Sequence, residues 1–342
     1  MDANPMPRSF KEHCRRRLTR WTGLPFGPPR TLAIEPTNHC TRKCPVCGAH
    51  SGQAIRPRGF MDWNLFLALA DQIQALKPAR VSLYGHGEPL LHPRLPDMTR
   101  ELAQRGLHTE IVTNGDLLDA ELLARCSSAG LGSLIVSHPG ITPANYKACR
   151  GELQNTVQED RLRSLIQSAA PSCDIYIRSL VLPQLLNDGP AELASFVRGW
   201  LTLPGIRGVG LHGYQPWPRH GLEQHLGQLF TRARRCELGM ETMTVLWNGT
   251  VTLCSYDSEG ALAVGQAPGL SLLDAYRGAE ARRRRKAWFG ASSKWPELCR
   301  DCLLPRCAAV FIPLGREILR SETLFERQVR SAYDQLNAAH SG

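Results

Sequence analysis

The stretch Ile34-Glu35-Pro36-Thr37-Asn38-His39-Cys40-Thr41-Arg42-Lys43-Cys44-Pro45-Val46-Cys47 decides how the rest of the chain is read. It follows a short run rich in β-formers, residues 31–36, and puts three thiols on one loop with Cys-x3-Cys-x2-Cys spacing. Three thiolates, not four, leave one iron of a cubane cluster open to a small ligand, as a catalytic zinc site keeps a position that a structural site closes. A zinc ribbon is the alternative, but it wants a second Cys-x2-Cys pair nearby. The next cysteine, Cys126, falls instead on a predicted helix.

Outward from this loop, β-branched or alternating runs recur at residues 79–85, 109–114, 132–137, 174–182 and 207–213, with helix-favouring stretches between most of them. The first such helix is the clearest. Asp62 is placed to cap it, Leu65, Leu69, Ile73 and Leu76 recur at three- and four-residue steps, and Pro78 closes it. Gly106 and Gly130 end later helices. Repeated strand–helix units predict a parallel sheet, open or curled into a barrel, with the site at the carboxyl ends of its strands.

Composition narrows the class. The chain has 342 residues, 42% hydrophobic and 21% charged, which is globular and neither fibrous nor disordered. The N-terminus MDANPMPRSFKEHCRRRLTR is charged where a signal peptide needs an apolar core, and no uncharged apolar window reaches the roughly eighteen residues of a membrane span. A cytoplasmic protein with no membrane partner is expected. Lys and Arg exceed Asp and Glu by 41 − 31 = 10, which suits an anionic substrate, an acidic redox partner or nucleic acid without choosing among them. Twelve cysteines without an export signal point to metal rather than to disulfides.

The cysteine loop resembles the signature loop of the radical S-adenosylmethionine (SAM) enzymes, and the resemblance extends beyond its thiols. Tyr84-Gly85-His86-Gly87-Glu88-Pro89-Leu90-Leu91-His92-Pro93, after the second predicted strand, resembles the family's Gly-Gly-Glu-Pro motif, with His86 replacing one glycine. Thr113-Asn114-Gly115 and Val136-Ser137 end the third and fourth strands, where the family makes polar contacts to the ribose and carboxylate of SAM. The resemblance thus implies a 4Fe–4S cluster on Cys40, Cys44 and Cys47. It also implies SAM contacts at Gly85, Gly87, Glu88, Pro89, Asn114, Ser137 and Arg178, the last pairing with the SAM carboxylate. Two positions depart from the pattern: Val46 stands where an aromatic is usual, and Ser137-His138-Pro139-Gly140 stands where an Asp-Gly pair is more usual. His86 and His138 flank the site and titrate near neutrality when unperturbed. Each is a candidate substrate-facing or proton-transferring group, or else a loop-packing residue or SAM contact.

After Gly213 the rhythm breaks at Tyr214-Gln215-Pro216-Trp217-Pro218, and five of the twelve cysteines follow. Trp247-Asn248-Gly249-Thr250-Val251-Thr252-Leu253-Cys254 reads as a hairpin delivering a thiolate, and Cys299-Arg300-Asp301-Cys302 as a metal-binding turn. This resembles the auxiliary-cluster domain of radical SAM enzymes, SPASM or its shortened twitch form. A full SPASM domain places seven cysteines around two clusters. Five implies one auxiliary 4Fe–4S cluster, assigned to Cys236, Cys254, Cys299 and Cys302, and a zinc site on the same four thiolates is the alternative. Cys307 is left over. It is read as a replacement ligand, part of a second partial cluster, a hydrogen-atom donor or a residue without a role.

The expected organisation is an N-terminal extension (1–29), a partial (β/α)6 TIM-like barrel (30–215), a linker (216–235), a small hairpin-plus-helix SPASM/twitch-like domain (236–312) and a helical tail (313–342). In that tail Leu324, Phe325, Val329, Tyr333 and Leu336 share one face and are expected to pack on the body. The run Arg282-Arg283-Arg284-Arg285-Lys286 is read as a solvated helix face, Arg15-Arg16-Arg17 is equally ambiguous, and Cys14, Cys126, Cys149 and Cys173 as small buried hydrophobes.

The resemblance implies reductive cleavage of SAM to a 5′-deoxyadenosyl radical, which takes a hydrogen atom from substrate. The auxiliary cluster then serves as electron acceptor and a flavodoxin- or ferredoxin-type protein as donor. Only 39 residues precede Cys40, fewer than a leader-peptide-binding domain needs, so a small molecule, anionic or carbohydrate-like, is expected first. Peptide crosslinking or epimerisation comes second. A zinc-containing nucleic-acid-binding module is the alternative of another class, although neither basic run carries the interleaved aromatics of a single-strand surface.

Overall fold

The computed structural model describes residues 18, 21–25, 27–50, 56–151, 155–169, 172–182, 185–213, 238–289, 295–300, 302 and 311–341. Six strands, β1 (Thr31–Ile34), β2 (Arg80–Leu83), β3 (Thr109–Thr113), β4 (Ser133–Ser137), β5 (Asp174–Val181) and β6 (Ile206–Gly213), lie side by side in chain order. Every neighbouring pair among them is parallel. Helices Trp63–Leu76, Leu95–Gln104, Ala120–Ser128, Pro143–Arg150 with Asn155–Ala169, and Pro190–Leu201 make the crossovers. β1 does not pair with β6, so the expected partial barrel stays open.

The helix Trp63–Leu76 shows why the pattern works. The Asp62 carboxylate accepts from the Asn64 and Leu65 N–H groups, which the first turn leaves orphaned. Lys77 ends the helix in left-handed backbone at φ 52°. Phe66, Leu69, Ala70 and Ile73 are buried against the sheet, while Leu65 and Leu76 are only partly covered. Leu69 and Ile73 are buried as the spacing predicts, and the buried face widens toward Phe66 and Ala70 rather than toward Leu65 and Leu76.

Both edges of the barrel sheet are extended. β7 (Thr242–Val245) pairs parallel with β1, β8 (Thr250–Thr252) and β9 (Ala263–Gln266) continue antiparallel, and β10 (Phe311–Gly315) pairs antiparallel with β6. The hairpin expected before Cys254 is therefore part of one ten-stranded sheet. Its turn closes with the Gly249 N–H donating to the Leu246 carbonyl at 2.8 Å. Gly249 is left-handed at φ 87°, and a Cβ there would lie 2.4 Å from the Ala267 carbonyl, so no side chain fits.

The helix Glu322–Ser341 buries Phe325, Val329, Ala332 and Leu336, and Phe325 lies under the guanidinium of Arg198 on helix Pro190–Leu201. The basic run differs from expectation. It lies on helix Ala279–Phe289, but Arg285 is fully buried. Its Nε donates to the Gly239 carbonyl at 2.8 Å and its Nη1 to the Tyr276 carbonyl at 2.6 Å. Burial lowers its pKa to about 10, so it remains a cation that pins one helix end. Among the described residues no helix is long and apolar enough to cross a membrane.

Candidate active site

A cavity of about 370 Å³ opens at the carboxyl ends of the barrel strands. Its wall includes Cys40, Cys44 and Cys47, and of the residues that sequence reasoning assigned to SAM it includes Gly85, Gly87, Glu88, Asn114, Ser137 and Arg178. Pro89 is not in the wall; it starts the buried 3-10 turn Pro89–Leu91. His86 is in the wall and 3% exposed. His138 is not. Its ring is buried beside Trp200, Tyr146 and Phe196, and its Nε2 lies 3.4 Å from a Glu159 carboxylate oxygen. It packs under the helical layer rather than facing the cavity.

Three anchors hold the cysteine loop. Thr37 Oγ1 donates to the Gly59 carbonyl at 2.6 Å, and Asn38 both donates to the Pro57 carbonyl and accepts from the Gly59 N–H. Arg42 makes a two-pronged pair with Asp116, at 2.6 Å on each prong, and Asp116 also accepts from Thr41 and Gln158. Asn114 Nδ2 donates to Thr41 Oγ1 at 3.0 Å and lies 3.8 Å from Cys40 Sγ. The ends of β1 and β3 are thereby tied across the site.

The Gly85-His86-Gly87-Glu88 loop packs too closely for side chains at either glycine. A Cβ on Gly87 would sit 2.4 Å from the His39 and Thr37 carbonyls, and one on Gly85 would sit 2.6 Å from Glu35 Cβ. The Glu88 N–H donates to the His39 carbonyl at 2.7 Å. The Glu88 carboxylate accepts from Thr113 Oγ1 and the Asn114 N–H, each at 2.7 Å, and from the Leu90 N–H. Burial nevertheless raises its pKa. Glu88 thus shapes the loop with its side chain and leaves the neighbouring backbone to face a ligand.

The opposite wall was legible only in part. The two-residue period of β5 brings Arg178 and Leu180 to the cavity together, and the Arg178 Nε is buried without a hydrogen-bond partner. His212 on β6 also faces the cavity. Burial, then the charge of Arg178, lowers its pKa to about 3, so it is neutral at working pH. Tyr84, hydrogen-bonded to Ser255, closes the wall with Tyr256, and burial raises the pKa of both phenols. Sequence reasoning missed His212, Arg150 and Tyr256. Glycine-rich β6 hides His212, and Tyr256 was discoverable only by its place two residues after Cys254.

The residues fit an iron–sulfur cluster with SAM. The donors are soft thiols, the glycine loop exposes backbone, and a buried guanidinium nitrogen lacks a partner. Among the described residues no three His, Cys, Asp or Glu side chains gather as they would about a single ion. A family model described as "Radical SAM superfamily" matches residues 34–184, and a SPASM model described as "Iron-sulfur cluster-binding domain" matches residues 236–303.

The chain carries a radical SAM domain and a SPASM domain.

This radical SAM chain is similar to the tungsten-containing aldehyde ferredoxin oxidoreductase cofactor-modifying protein of Pyrococcus furiosus, 29% identical over 137 residues, 40% of this chain and 38% of that protein. It is also similar to a PqqA peptide cyclase of Gluconobacter oxydans, 28% identical over 124 residues, 36% of this chain and 34% of that protein. These matches span less than two-fifths of the length of either relative. In fold it resembles BtrN in complex with AdoMet and 2-DOIA, with a TM-score of 0.54, 18% identity, and 80% of this chain and 92% of that chain covered. It likewise resembles Streptococcus suis SuiB bound to S-adenosylmethionine, with a TM-score of 0.63, 13% identity, and 92% and 79% covered.

On the SPASM side Cys254 follows β8, and Cys299 and Cys302 are buried at 9% and 7% exposure, with the Cys302 N–H donating to the Cys299 carbonyl. Trp288 Nε1 donates to Cys299 Sγ at 3.3 Å. Cys236 and Cys307 lie outside the described residues. Tyr256 lines the cavity, and the charges of Cys254 and Cys302 add to the burial that raises its phenol.

Proposed function

We propose that this enzyme abstracts a hydrogen atom from a small anionic substrate and passes the resulting electron to one auxiliary 4Fe–4S cluster. Cys40, Cys44 and Cys47 would hold the first cluster, the Gly85–Gly87 backbone with Asn114, Ser137 and Arg178 would hold SAM, and Cys254, Cys299 and Cys302 with Cys236 would hold the auxiliary cluster. When bound, the first cluster and SAM supply a 5′-deoxyadenosyl radical as the hydrogen-abstracting agent.

The observation that carries this reading is the charge of the wall. Among the described residues Arg150 and Arg178 line the cavity without a carboxylate partner, Arg42 being paired with Asp116, the one lining carboxylate, Glu88, is spent on β3, and the chain carries a net charge of +10. A buried cationic wall favours an anion. The chain's own residues then do four things. Arg178 offers its unpartnered Nε to a carboxylate, neutral His212 accepts a hydrogen bond, Tyr84 and Tyr256 keep their O–H groups, and Val46, Val112 and Leu180 give the wall an apolar side.

Peptide modification is the second reading, and a specific observation favours it. Matched relatives include PqqA peptide cyclases, and the fold resembles SuiB bound to precursor peptide SuiA with a TM-score of 0.62. The two readings separate by 5′-deoxyadenosine release from reconstituted protein given SAM and dithionite. The probe is the ultrafiltered small-molecule fraction of a cell extract, before and after anions are removed on an exchange resin, against the peptide fraction. Stimulation that disappears with the anions supports the first reading. Stimulation by peptides alone replaces it with the second.

A further inference from the structure

Arg150 is the last residue of helix Pro143–Arg150, and the helix end is seated on the cysteine loop. Gly151 caps it in left-handed backbone at φ 83°, where a Cβ would lie 3.4 Å from Pro45 Cδ. From that seat Arg150 Nη1 donates to Cys44 Sγ at 3.5 Å, and Nη2 donates to the Ser137 carbonyl. The Nε is buried with no hydrogen-bond partner, so the guanidinium is not drawn away by another group on that side. A guanidinium keeps its proton throughout the range in which the protein is folded, so this positive charge on the thiolate is permanent.

Two other thiols face neutral donors. Cys40 faces the neutral amide of Asn114 at 3.8 Å, and on the SPASM side Cys299 receives the neutral indole N–H of Trp288 at 3.3 Å. Charge-assisted hydrogen bonds are about twice as strong as neutral ones. Hydrogen bonds to cluster sulfurs, together with nearby charge, set reduction potential across a wide span.

We propose that Arg150 sets the reduction potential of the first cluster through its charged N–H···S bond to Cys44. This rests on the reading that Cys40, Cys44 and Cys47 hold that cluster. Reduction adds one electron and therefore one negative charge to the cluster. The fixed cation beside Cys44 stabilises the reduced state more than the oxidised one and raises the potential. No proton moves, because Arg150 is a full cation before and after. Ser137 holds the fork by its carbonyl, which makes Arg150 a positioning residue for charge.

The test is an anaerobic redox titration of reconstituted full-length protein followed by electron paramagnetic resonance, in which the first cluster is recognised as the signal that changes on adding SAM. In Arg150→Gln the reduced-to-oxidised ratio of that signal at a fixed solution potential is expected to fall about tenfold, a shift of about 59 mV for one electron. Arg150→Lys keeps the charge without the planar fork and is expected to fall between the two. In Trp288→Phe only the signal that ignores SAM is expected to move. An unchanged or raised first-cluster ratio in Arg150→Gln, with iron retained, overturns the proposal. Failure of the wild-type protein to bind iron overturns instead the reading beneath it.

Discussion

Glu35 and Arg56 form a two-pronged ion pair, 2.8 Å on each prong, with the Glu35 side chain fully buried and that of Arg56 7% exposed. Glu35 also accepts from the His86 N–H at 3.1 Å and the Trp247 N–H at 3.0 Å, and Arg56 donates to the Ser258 carbonyl at 2.7 Å. One carboxylate at the end of β1 therefore joins the glycine loop to the strands that carry Cys254.

Glu35→Gln leaves the Arg56 guanidinium buried without its counter-charge, and breaking such a pair costs about 3–5 kcal/mol. The loss is expected as a lower urea midpoint with an unchanged slope.

The same pair sets an acid limit. Burial raises the Glu35 pKa, but the electrostatic influence of His86, the Arg56 bonds and the Trp247 N–H together outweigh it and hold the carboxyl below its ordinary value. A carboxyl lowered on folding stabilises above its unfolded pKa and loses that contribution as pH falls through the folded one. Wild-type stability should therefore drop on the acid side of about pH 4.5, and this part of the drop should vanish in Glu35→Gln.

His212 adds to the same acid-side loss, in a window that begins at higher pH. Its folded pKa of about 3 lies below the unfolded value of 6.5, so the unfolded chain binds more protons between the two. Stability should fall by about 1.4 kcal/mol per pH unit on going down through that window. Urea titrations at several pH values should show a shallower decline in His212→Gln.

Gly87→Ala tests the tight approach of the two loops. Its Cβ would meet two backbone carbonyls at 2.4 Å, which cannot rotate away, so the cysteine loop must shift. Iron bound per chain and SAM affinity should both fall, while the distant helix Glu322–Ser341 should keep its protection in hydrogen exchange.

Tyr84→Phe removes the bond to Ser255, next to Cys254, at a cost of about 1 kcal/mol. Deoxyadenosine should still form with dithionite, but less product should form per deoxyadenosine, as measured by their ratio.

The strands were legible because parallel strands are short runs of β-formers between turn residues; residues 109–114, for example, contain β3, Thr109–Thr113. The three thiols and the glycine loop were legible because they stand at such ends. What a single sequence hides is pairing between distant segments. Nothing local in Thr242–Val245 says that it joins β1, nor in Phe311–Gly315 that it joins β6. Arg56 and Arg285 look like surface cations until their partners, 21 and 46 residues away, are in place. The packing role of His138, one of the two left open by the sequence, could not be chosen for the same reason. Its neighbours Phe196 and Trp200 arrive on a helix about sixty residues later.

The most direct measurement is anaerobic iron and sulfide analysis of the purified protein beside Cys40→Ala/Cys44→Ala/Cys47→Ala, with 5′-deoxyadenosine assayed after SAM and dithionite are added. The account expects about eight irons in wild type and about four in the triple variant, as two cubane clusters and one require, with deoxyadenosine from wild type alone. Zinc in place of iron, or iron-loaded wild type that forms no deoxyadenosine, would contradict it.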